Sequence, residues 1–181
     1  MRAFAEKHLK PLAAKIEAEE YSPRDFLRAL GRNRFLGAPF SRSDGGLGLG
    51  WVCETIVAEE ISAVGAAAEM ARLAFAALYS VPLAFFGNSV QKKQFLSPVL
   101  SGEKVGALAL TEPQSGSDAG SIKTRARRCG RDFVLNGEKR FITNGGVADY
   151  LFLFAVTDPG RPAQSALSAF AISRNSRVLR W

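Results

Sequence analysis

The chain has 181 residues and a formal net charge of +7, and 47% of its residues are hydrophobic. This length and apolar content predict a globular protein with one large domain or two small ones. Cys53 and Cys129 are too few and too far apart for a disulfide framework or a zinc site, which predicts a reducing compartment.

The basic excess lies mainly in residues 101–181, which carry 12 Lys and Arg against 7 Asp and Glu. Such a surface suits an anionic partner. The basic positions between residues 123 and 131 alternate partly with small residues, without the aromatic residues or recognition helix of a nucleic-acid site. We therefore expect a solvated strand face, with cofactor phosphates as the second interpretation and no nucleic-acid partner.

The first hundred residues have the pattern of helices. Ser22, Pro23 and Asp25 combine a capping residue, a first-turn proline and an acid near the positive end of a helix, and Gly31 can end that helix. The segment "WVCETIVAEEISAV" then predicts an amphipathic helix. We expect Val52, Ile56, Val57 and Ile61 on its buried face and Glu54, Glu59 and Glu60 mostly on its solvated face.

A longer apolar helix is predicted from about Gly65 to Phe86. Its run "LAFAALYSVPLAFF" is interrupted by Ser80 and Pro82 and is shorter than the roughly 20 residues that span a membrane, so we expect a buried helix and no membrane span. A further helix over "SVQKKQFLSPVLSG" is predicted to start with a serine cap and to end at Ser97-Pro98.

The pattern changes from helix to strand near residue 104. The run "VGALAL" predicts a buried strand, and "DYLFLFAV" and "ALSAFAI" predict two more. Asn136-Gly137 lies between two strand-like runs and predicts a tight hairpin. The order of elements predicts an α+β fold, with an all-helical domain over residues 1–102 and an incomplete antiparallel, barrel-like β domain over residues 103–181.

The stretch "LTEPQSGSDAG" at residues 110–120 consists mainly of loop-forming residues. It is compatible with a plain turn, or with a concave surface in which hydroxyls and backbone N–H groups face a polar or anionic ligand. The glycine run "GGLGLG" at residues 45–50 fits neither the dinucleotide motif nor the phosphate loop, so we interpret it as a structural turn.

A second segment, "RFITNGG", favours the ligand interpretation of that loop. An aromatic, an aliphatic and a threonine at a strand end would give a flat apolar surface beside hydroxyl donors. Such a surface suits a planar heteroaromatic ring with polar edges. The sequence therefore predicts that the two segments converge on one ligand.

These segments together resemble a known family. "ALALTEPQSGSDAGSIKTRA" followed by "VLNGEKRFITNGGVADYLFLFAVTDP" is similar to the middle domain of acyl-CoA dehydrogenases, flavoproteins that oxidise acyl-CoA thioesters. "FLGAPFSRSDGGLGLG", "EEIS" and "FGNSVQKKQFLSPVLSGEKVGALALTEP" resemble the family's helical N-terminal domain. The resemblance runs from about residue 21 to about residue 172, and its paired motifs are specific in order and spacing.

The resemblance implies an FAD site and an acyl-CoA substrate. It places Ser117 where the cofactor and the acyl-CoA approach one another, and it assigns Thr111 to the pyrimidine edge of the flavin and Thr143 to the region of its reactive nitrogen. Phe141 stands where the family usually has tryptophan, and Gln114 where glycine is common. The residues implied to bind the flavin are Leu108, Leu110, Thr111, Phe141, Ile142 and Thr143.

The catalytic base of the family is a glutamate in a C-terminal helical domain, and no glutamate of this chain is assigned that role. We therefore expect an acyl-CoA dehydrogenase present as a fragment, a truncated product or one piece of a split protein, and inactive alone. The ending "ISRNSRVLRW" departs from the family's usual continuation. The alternative is a non-catalytic flavin-binding or acyl-CoA-binding module, or an assembly partner.

The resemblance also implies partners and a location. An electron-transferring flavoprotein is the implied electron acceptor, and full-length members form homo-oligomers. The charged N-terminus lacks the apolar core of a secretory signal, and its glutamates argue against a transit peptide. We expect a cytoplasmic protein, or a mitochondrial matrix protein in a eukaryote.

Overall fold

The computed structural model describes residues 1–18 and 24–176. The predicted cap residues Ser22 and Pro23, and the last five residues of the chain, lie outside the described residues. The helices are α1 (Arg2–His8), α2 (Lys10–Ala18), α3 (Arg24–Arg32), α4 (Trp51–Ser62), α5 (Ala66–Leu73), α6 (Ser80–Phe86), α7 (Ser89–Gln91), α8 (Ser97–Leu100) and α9 (Ala163–Ala166). The strands are β1 (Gly106–Ala109), β2 (Arg125–Cys129), β3 (Asp132–Asn136), β4 (Tyr150–Val156) and β5 (Leu167–Ser173).

The predicted faces of α4 are only partly right. Val57 and Ile61 are buried, whereas Val52 is 77% exposed and Ile56 49% exposed. Glu54, which we expected on the solvated face, is buried. Amphipathic periodicity could not anticipate this, because the partner that holds Glu54 inside the protein is an arginine on the next helix.

That partner is Arg72, whose side chain is fully buried between α4 and α5. Its Nε and Nη2 donate to the two carboxylate oxygens of Glu69 at 2.6 Å each, and its Nη1 donates to Glu54 Oε1 at 2.7 Å. Burial raises the pKa of Glu69 although the guanidinium opposes that shift. We call Arg72, Glu54 and Glu69 the buried triad, and it ties the two helices together.

The long helix runs unbroken over Ala66–Phe86 and continues through Ser80 and Pro82, so the prediction of a helix from about Gly65 to Phe86 is confirmed. A π-helical turn at Ala74–Tyr79 joins α5 to α6, and the Ser80 hydroxyl donates back to Phe75 O at 3.0 Å. This wider turn just before Pro82 accommodates a ring that a regular helix would exclude. Within residues 1–18 and 24–176, this is the one helix long and apolar enough to cross a membrane, and half of its apolar window is buried inside the protein.

The next helical stretch, residues 89–100, differs from its prediction at both ends. Asn88 is the cap: its side chain accepts from Gln91 N, and the Gln91 side chain accepts from Asn88 N, both at 2.9 Å. The predicted stop at Ser97-Pro98 is wrong, because α8 continues to Leu100. Pro98 follows a π-helical turn at Lys92–Leu96 and lies in the first turn of α8, where a missing N–H costs little.

The strands form one open, five-stranded sheet with β4 at its centre. β4 pairs in parallel with β1 along its first half and with β2 at Val156, and antiparallel with β5, while β2 and β3 form an antiparallel hairpin. The prediction of a helical part followed by an incomplete β part is confirmed. The sheet is mixed, however, and not purely antiparallel.

The predicted hairpin at Asn136-Gly137 is wrong. The hairpin turns at Gly130, which has φ 61°, and pairs Cys129 with Asp132, so that Asn136 is the end of β3. Gly137 is required for another reason: a Cβ there would lie 2.2 Å from Thr124 Oγ1. A local Asn-Gly signal therefore marks a close approach between segments and not a turn.

Side chains on the two faces of the sheet enter two different clusters. Phe152 and Leu108 face the helices and join the cluster that contains Tyr79, while Leu151 and Ala107 face a smaller cluster on the other side. A Cβ on Gly106 would lie 2.5 Å from the Tyr79 ring, so β1 is pressed directly onto the long helix. The helical and β parts thus share one core.

Several large apolar side chains on the helices are exposed, and this predicts self-association. Val52 and Ile56 lie one turn apart on α4. We expect concentration-dependent oligomers in sedimentation velocity, because exposed apolar surface of this kind favours burial against another molecule. The double variant Val52→Lys/Ile56→Lys is expected to shift the distribution toward monomer.

Thr55→Lys, an exposed polar position on the same helix, is the matched control and should leave the distribution unchanged. A wild-type chain that stays monomeric at the highest concentration reached would contradict this prediction.

Candidate functional site

The loop after β1 is folded by its own backbone and side chains. Glu112 N donates to Ser115 O at 2.8 Å and Ser115 N donates to Glu112 O at 3.2 Å, which closes a tight turn. Gln114, at the position where the resemblance led us to expect glycine, donates from its side-chain amide to Glu112 Oε2 at 2.6 Å. The turn therefore tolerates a side chain at residue 114 and uses it.

The second half of this loop is organised around Asp118. Its carboxylate accepts from Gly120 N at 3.2 Å and from the Ser121 hydroxyl, while its carbonyl accepts from the Ser115 hydroxyl at 2.5 Å. Ser117 is not drawn into these bonds, and its side chain is exposed. The loop is consequently ordered while Ser117 is presented to solvent.

Glu112 is the centre of the site's electrostatics and is only 4% exposed. Its Oε1 accepts from Lys139 Nζ at 2.8 Å and from Thr124 N at 3.0 Å. Its Oε2 accepts from Lys123 N at 2.6 Å in addition to Gln114. Four donors thus satisfy one buried carboxylate, as burial of a charge requires.

Lys139 extends this arrangement to the second motif. Its Nζ also donates to Leu110 O at 2.9 Å, and the neighbouring Arg140 N donates to Thr111 O at 2.8 Å. The segment before "FITNGG" is thereby fastened to the backbone of the "LTEP" loop. We call Glu112, Lys139 and these two backbone contacts the Glu112–Lys139 junction.

The protonation state of the junction follows from its hydrogen bonds. Burial alone would raise the pKa of Glu112, but the Lys139 ammonium and the N–H groups of Lys123 and Thr124 outweigh it and lower that pKa to about 2. Burial lowers the pKa of Lys139 in spite of the carboxylate beside it. The free-energy cost of burying the Lys139 ammonium therefore offsets part of the stabilisation that this ammonium gives to the ionised Glu112 carboxylate.

The chain beyond the junction presents an aromatic ring to solvent. Phe141 has φ 56° and is 89% exposed, and Asn144 has φ 65°. Between them Ile142 is half-buried against the smaller cluster, and Thr143 is exposed. Asn144 Nδ2 donates to Ala71 O in α5 at 2.9 Å, which attaches this segment to the helical part.

The structure brings most of the predicted site residues to one region. Leu108 packs toward the helical core and Leu110 is half-buried at the junction. Among residues 1–18 and 24–176, the hydroxyls of Thr111, Ser117 and Thr143 have no hydrogen-bond partner. An exposed ring, free hydroxyls and aliphatic neighbours suit a flat heteroaromatic ligand with polar edges.

Sequence reasoning missed the residues that hold this region together. From the sequence alone, Glu112, Lys139 and Asn144 have no predicted role. The signal that could have identified Glu112 and Lys139 is the acid in one motif and the base in the other. Two motifs that converge in space can form an ion pair between such residues. Asn144 carried no comparable signal.

The glycine run at residues 45–50 behaves as the structural turn we expected. Leu47 N donates to Gly37 O and Leu49 N to Ala38 O, both at 3.0 Å, and a Cβ on Gly46 would lie 2.2 Å from Phe40 O. These contacts place the run against residues 37–40. Its glycines serve close backbone packing at this point.

We expect Glu112→Gln to lower the free energy of unfolding by about 3 kcal/mol at neutral pH, because it leaves Lys139 buried without its counter-ion. The folded pKa of about 2 lies below the ordinary value of 4.5, so the unfolded state takes up the proton first. The advantage of wild type over Glu112→Gln is therefore complete above that ordinary value and is lost as the pH falls toward 2. Urea unfolding at several pH values measures it.

Glu138→Gln is the matched control, since Glu138 is exposed and pairs with Arg140, which is also exposed. We expect it to change the free energy of unfolding by less than about 1 kcal/mol at every pH. An equal loss for Glu112→Gln at neutral pH and near pH 2.5 would contradict the ion-pair explanation.

Comparison with known proteins gives consistent matches. The family model described as acyl-CoA dehydrogenase, N-terminal domain, matches residues 1–103, and the model described as acyl-CoA dehydrogenase, middle domain, matches residues 107–181. An acyl-CoA dehydrogenase of Bacillus subtilis is 36% identical over 97% of this chain and 46% of its own length. The chain thus spans about half the length of the relatives that it matches.

Solved structures agree with this result. Butyryl-CoA dehydrogenase of Megasphaera elsdenii superposes with a TM-score of 0.90 and 31% identity, over 97% of this chain and 46% of that one. An acyl-CoA dehydrogenase of Bacillus anthracis, solved in complex with FAD, superposes with a TM-score of 0.86 and 34% identity, over 96% of this chain and 30% of that one. Since both domain models match and the helical and β parts superpose together, the chain belongs to the acyl-CoA dehydrogenase family.

Proposed function

We propose that this chain supplies the FAD-binding half of an acyl-CoA dehydrogenase, which oxidises an acyl-CoA thioester to the 2,3-enoyl-CoA. The observation that carries the proposal is the Glu112–Lys139 junction. It brings the two family motifs together and leaves Phe141 exposed beside them.

The residues present fit a flavin. The free hydroxyls of Thr111 and Thr143 and the exposed ring of Phe141 match a planar ring with polar edges, and Leu108, Leu110 and Ile142 supply aliphatic surface around them. We propose these six residues as the flavin contacts and Ser117 as the contact to acyl-CoA. FAD, when bound, would supply the hydride acceptor of the reaction.

The buried glutamates among the described residues are unsuited to proton abstraction. With a pKa of about 2 and four donors, Glu112 cannot accept a proton near neutral pH. Glu54 and Glu69 are engaged with Arg72 inside the helical part. We propose that the chain binds and orients cofactor and substrate but does not turn over acyl-CoA without a separately supplied base.

The remaining parts of the proposal follow from family membership. We propose an electron-transferring flavoprotein as acceptor, homo-oligomers in full-length relatives, and a division into residues 1–102 and 103–181, which the two matched family models support. A half-buried Cys53 and an exposed Cys129, both free, support a cytoplasmic or mitochondrial matrix location.

A non-catalytic flavin-binding or acyl-CoA-binding module, or an assembly partner, is the second candidate. The unsuitable glutamates are the observation that favours it. Turnover assays with short and long acyl-CoA and an artificial electron acceptor separate the two candidates. Dehydrogenation by the isolated chain would show that a base is present and would remove the second candidate.

FAD titration followed by flavin fluorescence and absorbance tests the proposal itself. We expect wild type to bind FAD, Phe141→Ala to bind it about fivefold more weakly through loss of stacking, and Thr111→Val to bind it about fivefold more weakly through loss of a hydrogen bond. Phe86→Ala removes an equally exposed ring from the end of α6 and should not change the affinity.

Wild type that binds no FAD at any concentration would overturn the proposal for this chain. Equal affinities for wild type, Phe141→Ala and Thr111→Val would show that the flavin binds elsewhere.

A further inference from the structure

The segment after the junction holds Phe141 in a backbone conformation that a phenylalanine does not favour. Phe141 has φ 56°, which non-glycine residues rarely adopt, whereas Asn144, with φ 65°, is of a type that tolerates this region. Phe141 is 89% exposed, so burial of its ring does not compensate for this backbone. Such a conformation persists only where the surroundings fix it.

The first restraint lies before Phe141. Arg140 N donates to Thr111 O at 2.8 Å, and Lys139 is fixed by Glu112 and Leu110 O. This restraint sets where the segment starts relative to the "LTEP" loop. It does not set where the segment ends.

The second restraint is the side chain of Asn144. Its Nδ2 donates to Ala71 O at 2.9 Å, across 73 positions of sequence. Asn144 lies in two overlapping turns, which are closed by Gly145 N donating to Ile142 O at 2.8 Å and by Val147 N donating to Asn144 O at 3.0 Å. The Asn144 side chain joins these turns to α5, while Arg24 Nη2 of α3 donates to Val147 O at 2.6 Å at their far end.

The acceptor of this bond is itself rigid. Ala71 is buried and directly precedes Arg72, whose guanidinium is fixed by Glu69 on the same helix and by Glu54 on α4. The π-helical turn at Ala74–Tyr79 begins three residues later and interrupts the regular hydrogen-bond ladder. Ala71 O accepts from Ala74 N within the helix and, on its second lone pair, from the Asn144 amide.

From these contacts we infer that Asn144 is a positioning residue, whose amide fixes the flavin-facing segment 141–143 against α5 before any ligand binds. The inference rests on the proposed function and names a residue that acts through Phe141 and Thr143. Pre-organisation of this kind strengthens binding because the ligand does not have to order the segment.

Asn144→Gly isolates the amide, because glycine keeps the left-handed backbone and removes only the side chain. We expect the Gly145 amide of the ligand-free chain to exchange with solvent about fivefold faster in hydrogen-exchange NMR. FAD affinity should fall by a similar factor, with a changed flavin absorbance spectrum. Asn144→Asp keeps the shape without the donor and should behave like Asn144→Gly.

Asn33→Gly is the matched control, because Asn33 Nδ2 donates to Ala29 O at 2.9 Å, the same length, at the end of α3 and away from the site. It should alter neither Gly145 exchange nor FAD affinity. The Val156 amide, which donates to Thr124 O at 2.7 Å in the β part, serves as an internal reference for a general loss of stability.

The possible results separate this inference from the proposed function. Unchanged Gly145 exchange in Asn144→Gly overturns the inference, whatever happens to FAD. Faster exchange with unchanged FAD affinity also overturns it, since the segment would then not position the ligand. A wild-type chain that binds no FAD overturns the proposed function and, with it, the role of Asn144 in ligand binding. The exchange comparison still decides whether Asn144 anchors the turn.

Discussion

The buried ion pair between Glu112 and Lys139 is the interaction on which the candidate site depends. It joins two loops that are far apart in sequence, and it also uses the carbonyl of Leu110 and two backbone N–H groups that would otherwise lack partners. Because its carboxylate is fully hydrogen-bonded, the pair fixes geometry and is not available for proton transfer. The free hydroxyls and the exposed ring beside it are left for a ligand.

A second cluster of buried charges, the buried triad, supports the same site through α5. The triad of Arg72, Glu54 and Glu69 fixes α4 to α5, and α5 in turn receives the amide of Asn144. Tyr79 on the continuation of this helix packs against Gly106, so that β1 enters the loop from a fixed position. The helical part therefore positions the β part through direct packing.

The sequence predicted most elements well where local pattern and tertiary environment agree. The long helix, the strands β1, β4 and β5, and the convergence of the two motifs follow from periodicity and motif order. Two of the errors share a cause: Asn136-Gly137 and Glu54 each carry a local signal that a partner elsewhere in the chain overrides, namely Thr124 and Arg72. At Ser97-Pro98 the reason is local, because the π-helical turn directly before Pro98 lets the helix continue.

The sequence by itself determined the family, the order of elements and the two motifs, because these depend on residues close together in the chain. Only the tertiary structure decided which charges are buried, where the sheet turns, and that Asn144 reaches α5. The physical reason is that a buried ion pair or a long-range hydrogen bond needs both partners in place, and their sequence positions do not reveal that they will meet.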